Sequence, residues 1–107
     1  MSRTLFAAAC LALLTVPALA AAFPDEGERI ARQWCAECHV VAEDQTSASA
    51  AAASFAAMAE KYADDGMGAL AAFLADPHPL MPDMSLTRQE IRDLTAYIAS
   101  LAEKGGS

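Results

Sequence analysis

Basic residues are scarce in this sequence of 107 residues: seven Lys or Arg stand against fourteen Asp or Glu, a formal charge of −7. Binding along a phosphate backbone needs clustered cations, so a nucleic-acid partner is excluded. Cysteine is sparser still, with three in the chain. Cys10 falls in an apolar leader, and Cys35 and Cys38 alone cannot make the framework of several disulfides that supports many small secreted domains. Histidine occurs twice, as His39 and His78. A zinc site would therefore have to use Cys35, Cys38, His39 and His78 together, with no second pair of closely spaced thiols. No segment carries a strand pattern, and no proline occurs between Val40 and Asp76.

One apolar run stands out, from Leu5 to Leu14. Arg3 precedes it, and Pro17 with Ala18-Leu19-Ala20 follows it, which is the order of a cleaved export signal. A membrane-spanning helix needs about 20 apolar residues, whereas here the stretch is broken at Pro17 and meets Asp25 and Glu26. Cys10 has only nine residues before it and no leucine three places upstream, so a lipid-anchored cysteine is not expected. The reading is a signal peptide over residues 1–20, a mature domain over residues 21–107 with no transmembrane span, and a periplasmic location. Removal of Arg3 makes the mature domain one unit more negative than the whole chain. A domain this small buries a modest share of its surface and, lacking disulfides, needs another source of core. A large apolar cofactor would supply it.

Cys35-Ala36-Glu37-Cys38-His39 names that cofactor. Two thiols three positions apart can each add to a vinyl group of a haem while the adjoining imidazole reaches the iron, which is why C-x-x-C-H reads as c-type haem attachment. A redox-active C-x-x-C of thioredoxin type expects a βαβ setting, which is missing. An electron-carrying haem needs a second strong axial ligand. The segment Asp76-Pro77-His78-Pro79-Leu80-Met81-Pro82-Asp83-Met84 offers His78, Met81 and Met84 in a loop whose three prolines prevent a helix. For any one methionine the plainer reading is core filling, which suits Met58, Met67 and Met84 best.

The early haem motif, the late Met81-Pro82 and the pattern Glu90-Ile91-x-x-Leu94-x-x-Tyr97-Ile98 together resemble small monohaem bacterial class I cytochromes c over essentially the whole mature chain. The resemblance implies an all-α fold in which the N- and C-terminal helices cross around one haem c, bonded covalently to Cys35 and Cys38. It assigns the axial positions to His39 and Met81. It implies a single-electron carrier and not an enzyme, a monomer that exchanges electrons with redox protein partners. It also implies a proline after the motif, whose carbonyl accepts the proton of the histidine nitrogen not bound to iron. No proline stands there, so another carbonyl between Val41 and Ala53 is expected to serve. The acidic balance suits partners with a basic docking patch. Two other functions remain open: a haem-bearing subunit of a larger redox enzyme, and a five-coordinate haem enzyme or sensor in which Met81 does not bind.

Helix signals agree independently. Thr87-Arg88-Gln89-Glu90 is a capping box, and Ile91, Leu94, Ile98 and Leu101 follow it on one stripe. Asp25, Glu26 and Glu28 open a first helix that runs toward Cys35. Gly27 inside it costs about 1 kcal/mol against alanine and so needs a packing reason; the resemblance provides one, a close crossing in which Gly27, Ile30 and Ala31 meet Leu94 and Tyr97. In the alanine-rich middle a helix is expected from near Ser54, and another over Ala69 to Leu74 that ends at Asp76-Pro77. Phe55, Met58, Tyr62, Leu70, Phe73 and Leu74 are expected as pocket lining or ordinary core, and Trp34 as core in preference to a group at the haem edge.

Overall fold

The computed structural model describes residues 21–45, 48–49, 51–77 and 80–105. The expected signal peptide, with Cys10, and the candidate ligand His78 lie outside the described residues. Among the described residues four helices follow one another: α1 (Pro24–Trp34), α2 (Phe55–Lys61), α3 (Gly68–Ala75) and α4 (Arg88–Gly105), with a 3-10 turn at Ala63–Asp65 between α2 and α3. Among the described residues there is no strand, so the expected all-α class holds.

Local chemistry sets the helix ends. Pro24 occupies the start of α1, where its missing N–H costs nothing, and Asp25 and Glu26 lie in the first turn, where the helix dipole favours them. The Ser54 hydroxyl accepts from the Ala57 amide at 3.1 Å and starts α2. At α4 the capping box closes in both directions: the Glu90 amide donates to Thr87 Oγ1 at 3.0 Å and the Thr87 amide to Glu90 Oε1 at 2.9 Å. Between the 3-10 turn and α3 the backbone is left-handed at Gly66 (φ 63°) and again at Met67 (φ 71°). Glycine takes that conformation freely; a methionine does so at a cost of roughly 1–2 kcal/mol, which the burial of its side chain in the core offsets.

The core sits where α1, α2 and α3 meet α4, and Ile30, Leu94, Ile98 and Val41 are its largest fully buried side chains among the described residues. The most extensive packing is between α1 and α4. Gly27 lies at their crossing: a Cβ there would overlap the Asp93 carbonyl and stand 2.8 Å from Tyr97 Cβ. Glycine is therefore required for the approach of the two backbones, and the crossing expected from the sequence is present. Buried Asp93 joins the same ends. Its Oδ1 accepts from the Phe23 amide at 2.9 Å, just ahead of α1, and from Gln89 Nε2 at 2.7 Å. Gln89 Nε2 also donates to the Ala21 carbonyl at 2.7 Å. A carboxylate thus faces the positive end of α1 while the entering strand of chain is tied to α4. No helix among the described residues is long and apolar enough to cross a membrane.

Candidate functional site

The C-x-x-C-H segment continues from α1 as a tight turn. The Cys35 amide still donates into the helix, to Ala31 O at 2.9 Å, and Cys38 N and His39 N both point back to Cys35 O, at 3.2 and 2.9 Å. Cys35 is buried and Cys38 exposed, and both are free thiols. Burial pushes the Cys35 thiol up to about 11, so Cys35 lacks the lowered pKa through which a redox-active thiol works. Nor do Cys35, Cys38 and His39 gather as a metal-binding group: no cluster of three or more His, Cys, Asp or Glu side chains among the described residues is close enough to hold an ion.

Both cysteines and His39 open onto a cleft of about 490 Å³, within the usual range of about 300–1,000 Å³ for cofactor and ligand sites. One wall is the motif with Trp34. The loop after α3 also lines the cleft, with Leu80, Met81, Pro82 and Met84, as do Met58, Tyr62, Leu70 and Phe73. A narrow inner chamber of about 30 Å³ lies behind it, lined by Cys35, His39, Phe55, Met58, Leu70, Phe73, Leu74, Met81 and Ile98. The apolar set from α2 and α3 is therefore cleft lining and core at once. Met81 belongs to both spaces and packs against the core, whereas Met84 reaches the outer cleft only.

The orientation of His39 is fixed by groups that were not individually legible in the sequence. Its Nδ1 lies 2.6 Å from the Ala53 carbonyl. That carbonyl can only accept, so Nδ1 carries the proton and Nε2 keeps its lone pair free for a metal. Ala53 thus fills the part that the resemblance gives to a proline. Phe55 lies against the ring, with centroids 5.6 Å apart and planes tilted by 48°. The loop carbonyls are also satisfied: Cys38 O accepts from Ser49 N at 3.1 Å and Val40 O from Phe55 N at 2.9 Å. Val41 O accepts from the Tyr97 hydroxyl of α4. Burial holds the Tyr97 phenol above its ordinary range, which keeps it a donor.

Two expectations need correction. Trp34 is 48 % exposed and lines the cleft, so it is a wall of the site and not core; it is the last residue of α1. Met84 is half-buried at the cleft, whereas Met67 is core as expected.

The site fits a c-type haem by the chemistry of its donors: two thiols at the required spacing, an imidazole with a free nitrogen, and a thioether, all lining one mainly apolar cleft. Comparisons with known proteins agree. The family described as cytochrome C oxidase, cbb3-type, subunit III matches residues 22–98. Cytochrome c-552 of Bradyrhizobium diazoefficiens is 49% identical over 81 residues, which cover 76% of this chain and 77% of that protein. No solved structure matches the chain significantly. With a family match across most of its length and a relative of this identity, the chain belongs to the small bacterial c-type cytochromes.

Proposed function

We propose that this chain is an exported, periplasmic single-electron carrier. One haem c is joined to Cys35 and Cys38, with His39 and Met81 as its axial ligands. The observation that carries this reading is the pairing of His39 Nδ1 with the Ala53 carbonyl, which leaves Nε2 for iron, in a chamber that Met81 shares. When bound, haem supplies a one-electron ferric/ferrous couple, and a thioether opposite an imidazole favours the ferrous state relative to two imidazoles. The residues of the chain do the rest. Ala53 and Phe55 hold the imidazole in one tautomer and one orientation, which tunes its basicity. Leu70, Phe73 and Leu74 exclude water from the chamber, and the Pro82 ring restricts the backbone beside Met81. A haem held by both His39 and Met81 would keep no open site for a substrate, which is the chemistry of a carrier and not of an enzyme.

A haem-bearing subunit of a larger redox enzyme is the second reading, favoured by the oxidase subunit in the description of the matched family. Against it, Trp34 and Leu80, two of the four large apolar side chains that stand exposed among the described residues, belong to the cleft itself, which leaves Phe23 and Val40 there for a permanent partner. A monomer that meets redox proteins transiently fits better. Its net negative charge suits a partner with a basic patch. Electron-transfer rates with such a partner are expected to fall as salt rises from about 10 to 150 mM, over which the screening length shortens from about 30 to 8 Å; rates independent of salt in stopped-flow measurements would remove charge from the account of docking.

Absorption spectra of the holoprotein test the ligand set. Wild type is expected to show sharp reduced c-type bands and a ferric sulfur-to-iron charge-transfer band that Met81→Ala abolishes. Retention of that band in Met81→Ala would move the ligand to Met84. A wild-type protein without the band, which binds carbon monoxide readily, would be a five-coordinate haem protein.

A further inference from the structure

We infer that Gln45 is a positioning residue for the ligand loop: its side-chain amide fixes the backbone that carries His39. The inference deepens the reading of His39 as an iron ligand and rests on it. Gln45 Nε2 donates to the carbonyls of Ala36 at 2.8 Å and of His39 at 2.7 Å, and its Oε1 accepts from the Val41 amide at 2.8 Å. A primary amide has two N–H donors, and each meets a different carbonyl of the C-x-x-C-H turn. One side chain therefore ties the middle of the haem motif, its histidine and the residue after next.

The bonds are not redundant with the rest of the loop. Cys38 O and Val40 O are held by Ser49 N and Phe55 N, while Ala36 O, His39 O and Val41 N fall to Gln45. The Tyr97 hydroxyl holds the other end of the Val41 residue, at its carbonyl. The segment from Ala36 to Val41 is thereby fixed to α4 through Gln45, Val41 and Tyr97 in series. A shift of the His39 backbone would displace the ring from the Ala53 carbonyl, since that bond is already at 2.6 Å and depends on direction. Gln45 touches no ligand atom of the imidazole, so it acts through position. Asparagine, one methylene shorter, would not span the three contacts.

Proton exchange in the reduced holoprotein, followed by NMR, tests this. In wild type the two Gln45 Nε2 protons are expected to resolve and to exchange with water at least tenfold more slowly than those of exposed Gln33. In Gln45→Leu, the His39 Nδ1 proton and the Val41 amide are expected to exchange about tenfold faster, with the Leu94 amide in α4 unchanged. Equal exchange of Gln45 and Gln33, or loss of protection at His39 and Leu94 together, would overturn the role, the second result marking mere loss of stability. Should Gln45→Leu fail to fold, the wild-type comparison decides alone. Failure of the ligand reading itself is separate: it shows in the wild-type absorption spectrum before any exchange is measured.

Discussion

Gly27→Ala is expected to lower the thermal unfolding midpoint of the holoprotein by about 15 °C. The magnitude follows from what the new methyl group meets. It would overlap the backbone carbonyl of Asp93 and lie 2.8 Å from Tyr97 Cβ, so neither neighbour can yield by a rotamer change alone. α1 and α4 must separate, and overpacking of this kind costs about 1–3 kcal/mol and occasionally more. Helix propensity works the other way, since alanine is favoured over glycine in a helix interior by about 1 kcal/mol. With overpacking at the upper end near 3 kcal/mol and about 1 kcal/mol more for the buried Asp93 carboxylate losing a donor, less about 1 kcal/mol of propensity, the net loss is near 3 kcal/mol, which corresponds to that midpoint shift at about 4–8 °C per kcal/mol for a domain of this size. Asp93 makes the loss larger than area would suggest. Its carboxylate also receives the Phe23 amide, and separation of the helices would leave a buried carboxylate short of a donor. Gly68→Ala is the control: its Cβ would meet Asp65 Oδ2 at 3.7 Å, an ordinary contact, and the substitution is expected to be neutral or to stabilise by up to about 1 kcal/mol. Equal midpoints for the two variants in calorimetry would show that the crossing tolerates a side chain.

The helices that carry this crossing were the legible part of the sequence, because their signals are local. Thr87 and Glu90 stand three apart and find each other without help from the rest of the chain, and the apolar stripe of α4 repeats at helical spacing. Gly27 was legible for a different reason: a glycine within a helix is a cost that only close packing repays. The middle of the chain was less so. Alanine favours helix everywhere between residues 50 and 63, so composition could not limit α2 to Phe55–Lys61. Its start came from Ser54, whose hydroxyl gives a specific signal, but it gives way at Tyr62 to the 3-10 turn Ala63–Asp65, which ends in left-handed backbone at Gly66 and Met67, and nothing about methionine announces a positive φ.

The site divides along the same line. Two cysteines and a histidine at fixed spacing were readable because covalent chemistry demands that spacing. The Ala53 carbonyl was not, since every residue has one and only the path of the chain brings it to His39, fourteen positions away. Gln45 was missed for the same reason: a polar residue among Glu43, Asp44 and Thr46 looks like a solvated loop. The one signal available was the scarcity of uncharged polar side chains able to donate twice. Trp34 shares the stripe of Ile30 and Ala31, four and three places before it, yet as the last residue of α1 it stands exposed and lines the cleft, which spacing alone does not show.

Removal of both thiols should have the largest effect of all. In Cys35→Ala/Cys38→Ala, expressed with the haem-attachment machinery, covalent haem is expected to be lost and the helical far-UV signal to fall by more than half, with no cooperative unfolding transition. Alanine is the substitution to use, because Cys35 is buried and serine would introduce an unsatisfied hydroxyl. The argument is one of core volume. The cleft of about 490 Å³ separates Leu70 and Phe73 from the motif that should face them, and a domain this small without disulfides has little stability in reserve. A ligand that binds only the folded state stabilises it in proportion to the logarithm of its effective concentration, and covalent attachment makes that concentration independent of free haem. Loss of the bonds therefore removes both the filler of the cleft and the link across it. α1 and α4 would keep their contact through Ile30, Leu94 and Ile98, which is why some helical signal is expected to survive. Cooperative unfolding within about 5 °C of the holoprotein midpoint would mean that the polypeptide core suffices, and that the haem occupies a scaffold already complete without it.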